Sequence, residues 1–285
     1  AFGAMPVPLA LAAAPLPQPT VWKGVAMGAL ASLTLVHPDR QHAQAMLERC
    51  VAEVERLEDV FSLYRPDSAL SRLNAAGVLD HPPSELLELL SFSLALAERS
   101  GGAFDPTVQP LLRLYVEHFS SAGASPGGPS SQAIAAARLA VGFADVELAP
   151  ARIRLGRPGA AITLNGVAQG YVTDRVAELL LQSGFSDVLV DLGEGRALGH
   201  RPDGRPWRAA VADPAAPGRT LFELPLASGQ NALATSGGYG TRFGRDPLVH
   251  HLLDPATGRS ANHLASVSVA ASRATLADGL STALA

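Results

Sequence analysis

The sequence predicts an α+β fold, with mixed or antiparallel sheets and helices packed against them. Apolar residues recur at helical spacing in some segments and in short β-branched runs in others. The two kinds of segment mix without the regular strand–helix alternation that builds a parallel sheet. No internal repeat of solenoid or propeller length is visible. With 285 residues the chain can bury a full core, as one large domain or two smaller ones.

The opening stretch, Ala1 to Pro15, is apolar and closes on small residues, as the hydrophobic region and cleavage zone of an export signal do. No charged segment precedes it, so it reads as the back half of such a signal, or else as a flexible Ala/Pro leader. It is too short to span a bilayer. Residues 1–20 are therefore expected to be a leader, with a periplasmic or exported location on the first reading, and 21–285 one domain. Val21 to Leu35 alternates small and β-branched residues around Met27-Gly28, which predicts a strand whose glycine permits close approach.

From Gln41 to Phe61, residues Met46, Leu47, Cys50, Val54 and Leu57 line one face of an amphipathic helix. A short helix is expected after Ser68 as its cap, and another from Ser84 to Arg99 packs through Leu86, Leu90 and Leu94. Ser120 to Ser131 is rich in Gly, Pro and Ser, which predicts a loop dividing the domain into two lobes. Short strands are expected at Val146 to Leu155 and Ala161 to Leu164, then a helix from Gly170 to Ser183 and a buried strand at Val188 to Leu192. Further strands are expected at Trp207 to Ala212, Thr220 to Leu226, Ala232 to Thr235 and Ser266 to Ala270, with a helix from Ala274 to the end.

A net charge of -4, with Lys and Arg scattered, leaves no electrostatic footprint for nucleic acid or an anionic membrane. Cys50 is the only cysteine, so no intrachain disulfide forms, and its place on an apolar helix face marks it as a buried thiol.

Several short motifs carry chemistry. Gly101-Gly102-Ala103-Phe104-Asp105-Pro106-Thr107 sets a carboxylate and a hydroxyl in a turn whose glycines admit a ligand closely, although an Asp-Pro turn is also common punctuation. Asn165 to Gly170 is a strand-to-helix turn, and amides at a helix N-terminus favour phosphate. It matches neither the P-loop nor the dinucleotide G-x-G-x-x-G pattern. Leu192-Gly193-Glu194-Gly195 and Ala234-Thr235-Ser236-Gly237-Gly238 offer two more loops of backbone donors, and three such loops suit a polyphosphate or nucleotide; each alone also suits a hairpin. His250 and His251 are adjacent, so on a strand they point to opposite faces and one of them is a candidate general base. Asp278 and Thr282 stand four apart on one helix face, an oxygen pair that suits Mg²⁺ completed by substrate phosphate. Alone, the pair reads better as a surface Asp with a back-bonding Thr.

In this order the segments resemble the ApbE family of FAD:protein FMN transferases, from about Trp22 to the C-terminus. The matching blocks are Met27-Gly28, Phe61 to Asn74, Gly101 to Thr107, Leu164 to Tyr171, Ala234 to Gly237, His251 to Gly258 and Ala277 to Leu284. The resemblance implies a T-fold-like flavin transferase architecture. It also implies an exported enzyme that splits FAD with Mg²⁺ and attaches FMN through a phosphoester to a Thr or Ser of a partner flavoprotein, releasing AMP. A membrane-bound redox protein is one candidate acceptor.

By position, Met27, Tyr64, Ala103, Phe104, Asp105, Asn165, Tyr171 and Leu252 would line the FAD site. Ala168 through its carbonyl, Asp278 and Thr282 would hold Mg²⁺ with Ser281 nearby, and His251 with Asp278 would be catalytic. Gly193-Glu194 looks closest to NosX-like members linked to nitrous oxide reductase maturation. Two departures stand out. Thr163 replaces an Asp that many members carry, and the chain stops at Ala285 where members usually continue with a further strand, so a truncated C-terminus is expected. A metal-dependent FAD diphosphatase and a non-catalytic exported FAD-binding scaffold remain as alternative functions.

Overall fold

The computed structural model describes residues 18–216 and 218–285, so that residues 1–17 of the leader expected at 1–20 lie outside them. β1 (Thr20–Ala26) and β2 (Ala29–Leu35) form an antiparallel hairpin in place of the single strand expected there. The reason is local: Met27 and Gly28 both adopt left-handed backbone, φ 51° and 78°, the combination that closes a two-residue hairpin.

α1 (Arg40–Phe61) starts where the Asp39 carboxylate accepts the His42 amide at 2.9 Å. α2 (Ala69–Ala76) is capped by Ser68 as expected, its Oγ accepting the Ser71 amide at 2.9 Å, and it ends at left-handed Gly77. β3 (Val78–Asp80) follows, then α3 (Ser84–Arg99), α4 (Gln109–Ser120) and α5 (Ser131–Arg138). The Gly/Pro/Ser-rich loop joins α4 to α5, whose Leu111, Tyr115 and Ile134 share a small cluster with Val249 and Leu253. β4 (Val146–Ala149) and β5 (Arg152–Leu155) split the expected strand into a hairpin, and with β3 they form a sheet ordered β3-β5-β4. Residues 161–164 do not join a ladder. The Asn74 side chain takes both backbone groups of Ile162, at 2.7 and 2.8 Å, and the Thr163 amide donates to Pro106 O at 2.8 Å.

α6 (Ala168–Gln182) leads into β6 (Val188–Asp191) and β7 (Gly195–Leu198), then the ribbon of β8 (Trp207–Ala212) and β9 (Thr220–Leu226). β10 (Ala232–Gly237), the short pair β11 (Leu253–Asp254) and β12 (Arg259–Ser260), β13 (Ser266–Ala271) and α7 (Ala274–Leu284) complete the order.

Six strands, β1-β2-β6-β7-β10-β13, form the main sheet, and every neighbouring pair is antiparallel. Alternation sorts its two faces. Leu33, Leu35, Val188 and Val190 enter the principal core with Leu57 of α1 and Val176 of α6. Leu189, Ala197 and Leu233 point the other way, onto Trp207, Val211 and Leu226 of the β8–β9 ribbon. Sheet, helices and ribbon thus form layers, and the site opens at the end of the sheet where the Met27-Gly28 and Gly193-Glu194 turns lie.

Candidate active site

A cavity of about 940 Å³ opens between the β1–β2 turn, the 103–106 segment, the start of α6, the β6–β7 turn, β10 and the end of α7. Met27, Ala103, Phe104, Asp105, Asn165, His251, Leu252, Asp278 and Thr282 all contribute to its wall, so nine residues expected at the site from sequence meet there.

Asp278 is buried on α7, and its Oδ2 accepts the Gly170 amide at 2.9 Å from the first turn of α6. That contact needs glycine, since a Cβ on Gly170 would run into the Ala274 carbonyl oxygen and lie 2.8 Å from Asp278 Cβ. Burial pushes the Asp278 carboxyl above its ordinary range, against the Gly170 hydrogen bond, with Asp174 adding repulsion. Beside it, Ser236 Oγ lies 2.8 Å from Ser281 Oγ and 3.1 Å from Thr282 Oγ1, and Thr282 Oγ1 is 3.5 Å from the Gly166 carbonyl. Ser281 sits just behind the wall, donating to Asp278 O at 2.9 Å. Ala168 opens α6, buried, with its amide donating to Leu164 O at 2.8 Å.

Thr235 was expected to end a strand and Ser236 to lie on a loop of donors, but β10 runs on through Gly237, and the two residues pair with Ser268 and Val267. A strand fixes their hydroxyls more firmly than a loop would, since each is set by the pleat. Glu194, expected only as part of a glycine turn, brings a further buried carboxylate to the cavity, beside Asp278 and Asp105. Burial raises it strongly and Asp278 raises it further by repulsion. The signal was an acidic residue between two glycines at the end of a buried strand, but nothing local aims its side chain.

The two histidines diverge as expected for neighbours. His250 is buried, its Nε2 3.2 Å from Asn262 Oδ1. His251 lines the cavity with Nδ1 3.1 Å from Thr241 O. A carbonyl only accepts, so Nδ1 carries the proton and Nε2 keeps its lone pair. Burial lowers the His251 pKa below 6.5, which holds the ring neutral.

Asp105 shapes the wall. Its Oδ1 accepts the Thr107 amide and hydroxyl at 2.7 and 2.6 Å, and its Oδ2 accepts the Phe143 amide at 3.3 Å, which pins the segment presenting Ala103 and Phe104. Met27 is held by its amide, which donates to Glu58 Oε1 at 2.7 Å. Two expected residues stand elsewhere. Tyr64 is 90% exposed and outside the cavity wall, because the turn after α1 projects it into solvent. Tyr171 points into the core, where its hydroxyl donates to Glu88 Oε2 at 2.7 Å and its ring meets Phe61 edge-on. That face of α6 packs on α1 and α3 and is turned from the cavity.

The charge balance is informative. Among the described residues, Arg259 is the single Lys or Arg in the wall, against Asp105, Glu194, Asp254 and Asp278. No trio of His, Cys, Asp or Glu suited to a metal occurs among them. The donors on offer are oxygens: a carboxylate, hydroxyls and the Gly166 carbonyl. A hard cation such as Mg²⁺ fits that set, taking one or two carboxylates and leaving places for phosphate and water.

The model of the ApbE family matches residues 27–285. The chain belongs to the ApbE family. It is 31% identical to an FAD:protein FMN transferase of Klebsiella pneumoniae, across 95% of this chain and 79% of that one. It is 34% identical to one of Treponema pallidum, across 84% and 70%. Among solved structures, the flavin transferase ApbE of Vibrio cholerae superposes with a TM-score of 0.81 at 27% identity, covering 94% of this chain and 86% of that one. The apo flavinyl transferase ApbE of Pseudomonas stutzeri superposes at 0.77 with 31% identity, covering 94% and 84%. The antiparallel sheet with its packed helices is thus the ApbE fold, and the cavity collects most of the residues that the ApbE resemblance nominated.

Proposed function

We propose that this chain is an Mg²⁺-dependent FAD:protein FMN transferase, which moves FMN from FAD to a Thr or Ser hydroxyl of a partner flavoprotein and releases AMP. The observation that carries this reading is one large cavity holding a buried carboxylate–hydroxyl cluster at Asp278 and a neutral histidine with a free Nε2. A diphosphate anion entering a wall with one arginine and four carboxylates meets net repulsion unless a cation accompanies it. Asp278 and Thr282, with main-chain carbonyls of the 166–168 turn, would hold Mg²⁺, which when bound offsets charge on the diphosphate oxygens.

This chain's residues supply the positioning. Phe104, Met27 and Leu252 offer apolar surface to flat rings, and Asn165 and Ser236 offer polar contacts. In the transfer, the acceptor oxygen bonds to the FMN-side phosphorus as the bond from that phosphorus to the bridging oxygen breaks, and AMP leaves with that oxygen. His251 Nε2, or a nearby carboxylate of the wall, would take the acceptor's proton at neutral pH.

Incubation with FAD, Mg²⁺ and a candidate acceptor tests this. Covalent fluorescent flavin on the acceptor, located by mass spectrometry, is the expected result, with AMP released in equal amount. Free FMN and AMP without a labelled acceptor would support hydrolysis instead. Asp278→Ala is expected to abolish transfer while FAD binding largely survives, and transfer unchanged by chelation of Mg²⁺ would refute the metal's role.

A further inference from the structure

We propose that Glu194 is a second carboxylate of the cation site, acting with Asp278 on the divalent metal; this rests on the transferase reading above. The β6–β7 turn that bears Glu194 is seated on the first turn of α6. Gly193 has φ 100°, and the Gln169 side-chain amide occupies the place its Cβ would take. The Glu194 carbonyl accepts from Thr173 Oγ1 at 3.2 Å and from the Leu192 amide at 3.3 Å, so the turn is closed on itself and tied to α6. Gly170, the residue after Gln169, donates its amide to Asp278 Oδ2. One turn of helix therefore supports both carboxylates, and both side chains line the same cavity.

Their surroundings set them apart from the other buried acids. Asp174 pairs with Arg196 and Arg273, Asp213 pairs with Arg219, and Asp105 is satisfied by the Thr107 and Phe143 donors. Glu194 is 8% exposed and Asp278 3%, and neither has a Lys or Arg partner among the described residues. The Thr235 amide lies beside the Glu194 carboxylate and lowers its pKa against the effect of burial, and the side chain lines the cavity with acceptor capacity to spare. Two buried carboxylates that repel one another across a cavity floor are costly without a cation, and a divalent ion removes that cost for both. The Ser236, Ser281 and Thr282 hydroxyls complete an oxygen-lined floor on the Asp278 side.

Isothermal titration of the FAD-free full chain with MgCl₂ alone, and with MnCl₂ followed by electron paramagnetic resonance, tests the assignment without reference to turnover. Glu194→Gln keeps the shape and removes the charge, and it is expected to weaken Mg²⁺ and Mn²⁺ binding by about tenfold or more, the scale at which supporting groups tune metal affinity. Circular dichroism melting confirms the fold of the variant, and Glu194→Asp serves as a second variant, expected to stay tighter than Glu194→Gln. Wild-type affinity in Glu194→Gln, with Asp278→Asn alone abolishing binding, would overturn the role of Glu194 and leave the transferase reading standing. No binding of either ion by the FAD-free wild-type chain would overturn the two-carboxylate site, while the transferase reading is decided separately by the acceptor assay.

Discussion

Replacing Asp174 by alanine tests how α7 keeps Asp278 at the cavity. Asp174 lies on α6, fully buried, and reaches across to the N-terminus of α7. Its Oδ1 accepts the Ala274 amide at 2.9 Å and Arg196 Nη1 at 2.6 Å. Its Oδ2 accepts the Thr275 amide at 3.0 Å, the Thr275 hydroxyl at 2.6 Å and Arg273 Nε at 3.3 Å. Arg273, at the position before the helix, provides no side-chain cap, so α7 is capped by a carboxylate from another helix. Alanine leaves the mostly buried Arg196 guanidinium and two helix amides without their acceptor. Breaking a buried ion pair costs about 3–5 kcal/mol, and the lost cap overlaps with that figure. At roughly 2–4 °C per kcal/mol for a chain approaching this size, the melting temperature should fall by about 10 °C. Asp174→Asn keeps an acceptor oxygen and should lose less. Calorimetric melting of metal-free protein measures the effect, and Mg²⁺ affinity should fall with it because Asp278 stands one turn beyond the cap. A fall below about 2 °C for the alanine variant would show that Arg196 and the α7 amides find other partners, and would refute the capping account.

Three other outcomes follow from the same geometry. Gly170→Ala should lower stability by roughly 1–3 kcal/mol through overpacking, although alanine is the better helix former, and should weaken Mg²⁺ binding; a stabilised variant in thermal melts would contradict it. Glu58→Ala frees the Met27 amide from a hydrogen bond of about 1 kcal/mol, so KM for FAD should rise about fivefold with kcat retained, and Glu58→Gln, which keeps the acceptor oxygen, should restore it. His251 is half-buried, and its partial desolvation holds its pKa below the unfolded value of 6.5, so the unfolded chain takes the proton first as pH falls. Its contribution to stability is complete above 6.5 and is lost as pH drops through the lower folded value. The acid limb of the transfer rate should lie below pH 6.5 as well, and a limb centred above that value would exclude His251 as the base.

Much of the secondary structure was legible because it is set within a few residues. Ser84–Arg99, Trp207–Ala212 and Thr220–Leu226 fall where periodicity places them, and Ser68 caps α2 as its position predicts. The exceptions have local causes that periodicity does not register. Left-handed Met27 splits one alternating run into a hairpin, and Asn74, 88 residues away from Ile162, takes the hydrogen bonds a strand would have needed. α5 is short and buries only Ile134, so its apolar pattern is thin, whereas α4 carries Leu111, Leu112, Tyr115 and Phe119 at helical spacing, a signal left out of the expected elements beside the Gly/Pro/Ser-rich loop that follows.

For the site, the sequence by itself determined the chemical inventory: a carboxylate and a hydroxyl on one face of α7, a histidine before an Asp-Pro turn, and glycine turns able to approach a ligand. The order of those motifs determined the family. Only the tertiary structure decided which groups act together. Asp278 meets Gly170 across 108 residues, and Ser236 meets Thr282 across 46, through packing of α6, α7 and β10. The same packing turned Tyr171 into the core, left Tyr64 in solvent and aimed Glu194 inward. Side-chain direction on a helix or turn is fixed by what the element packs against, and that information is spread over the whole chain.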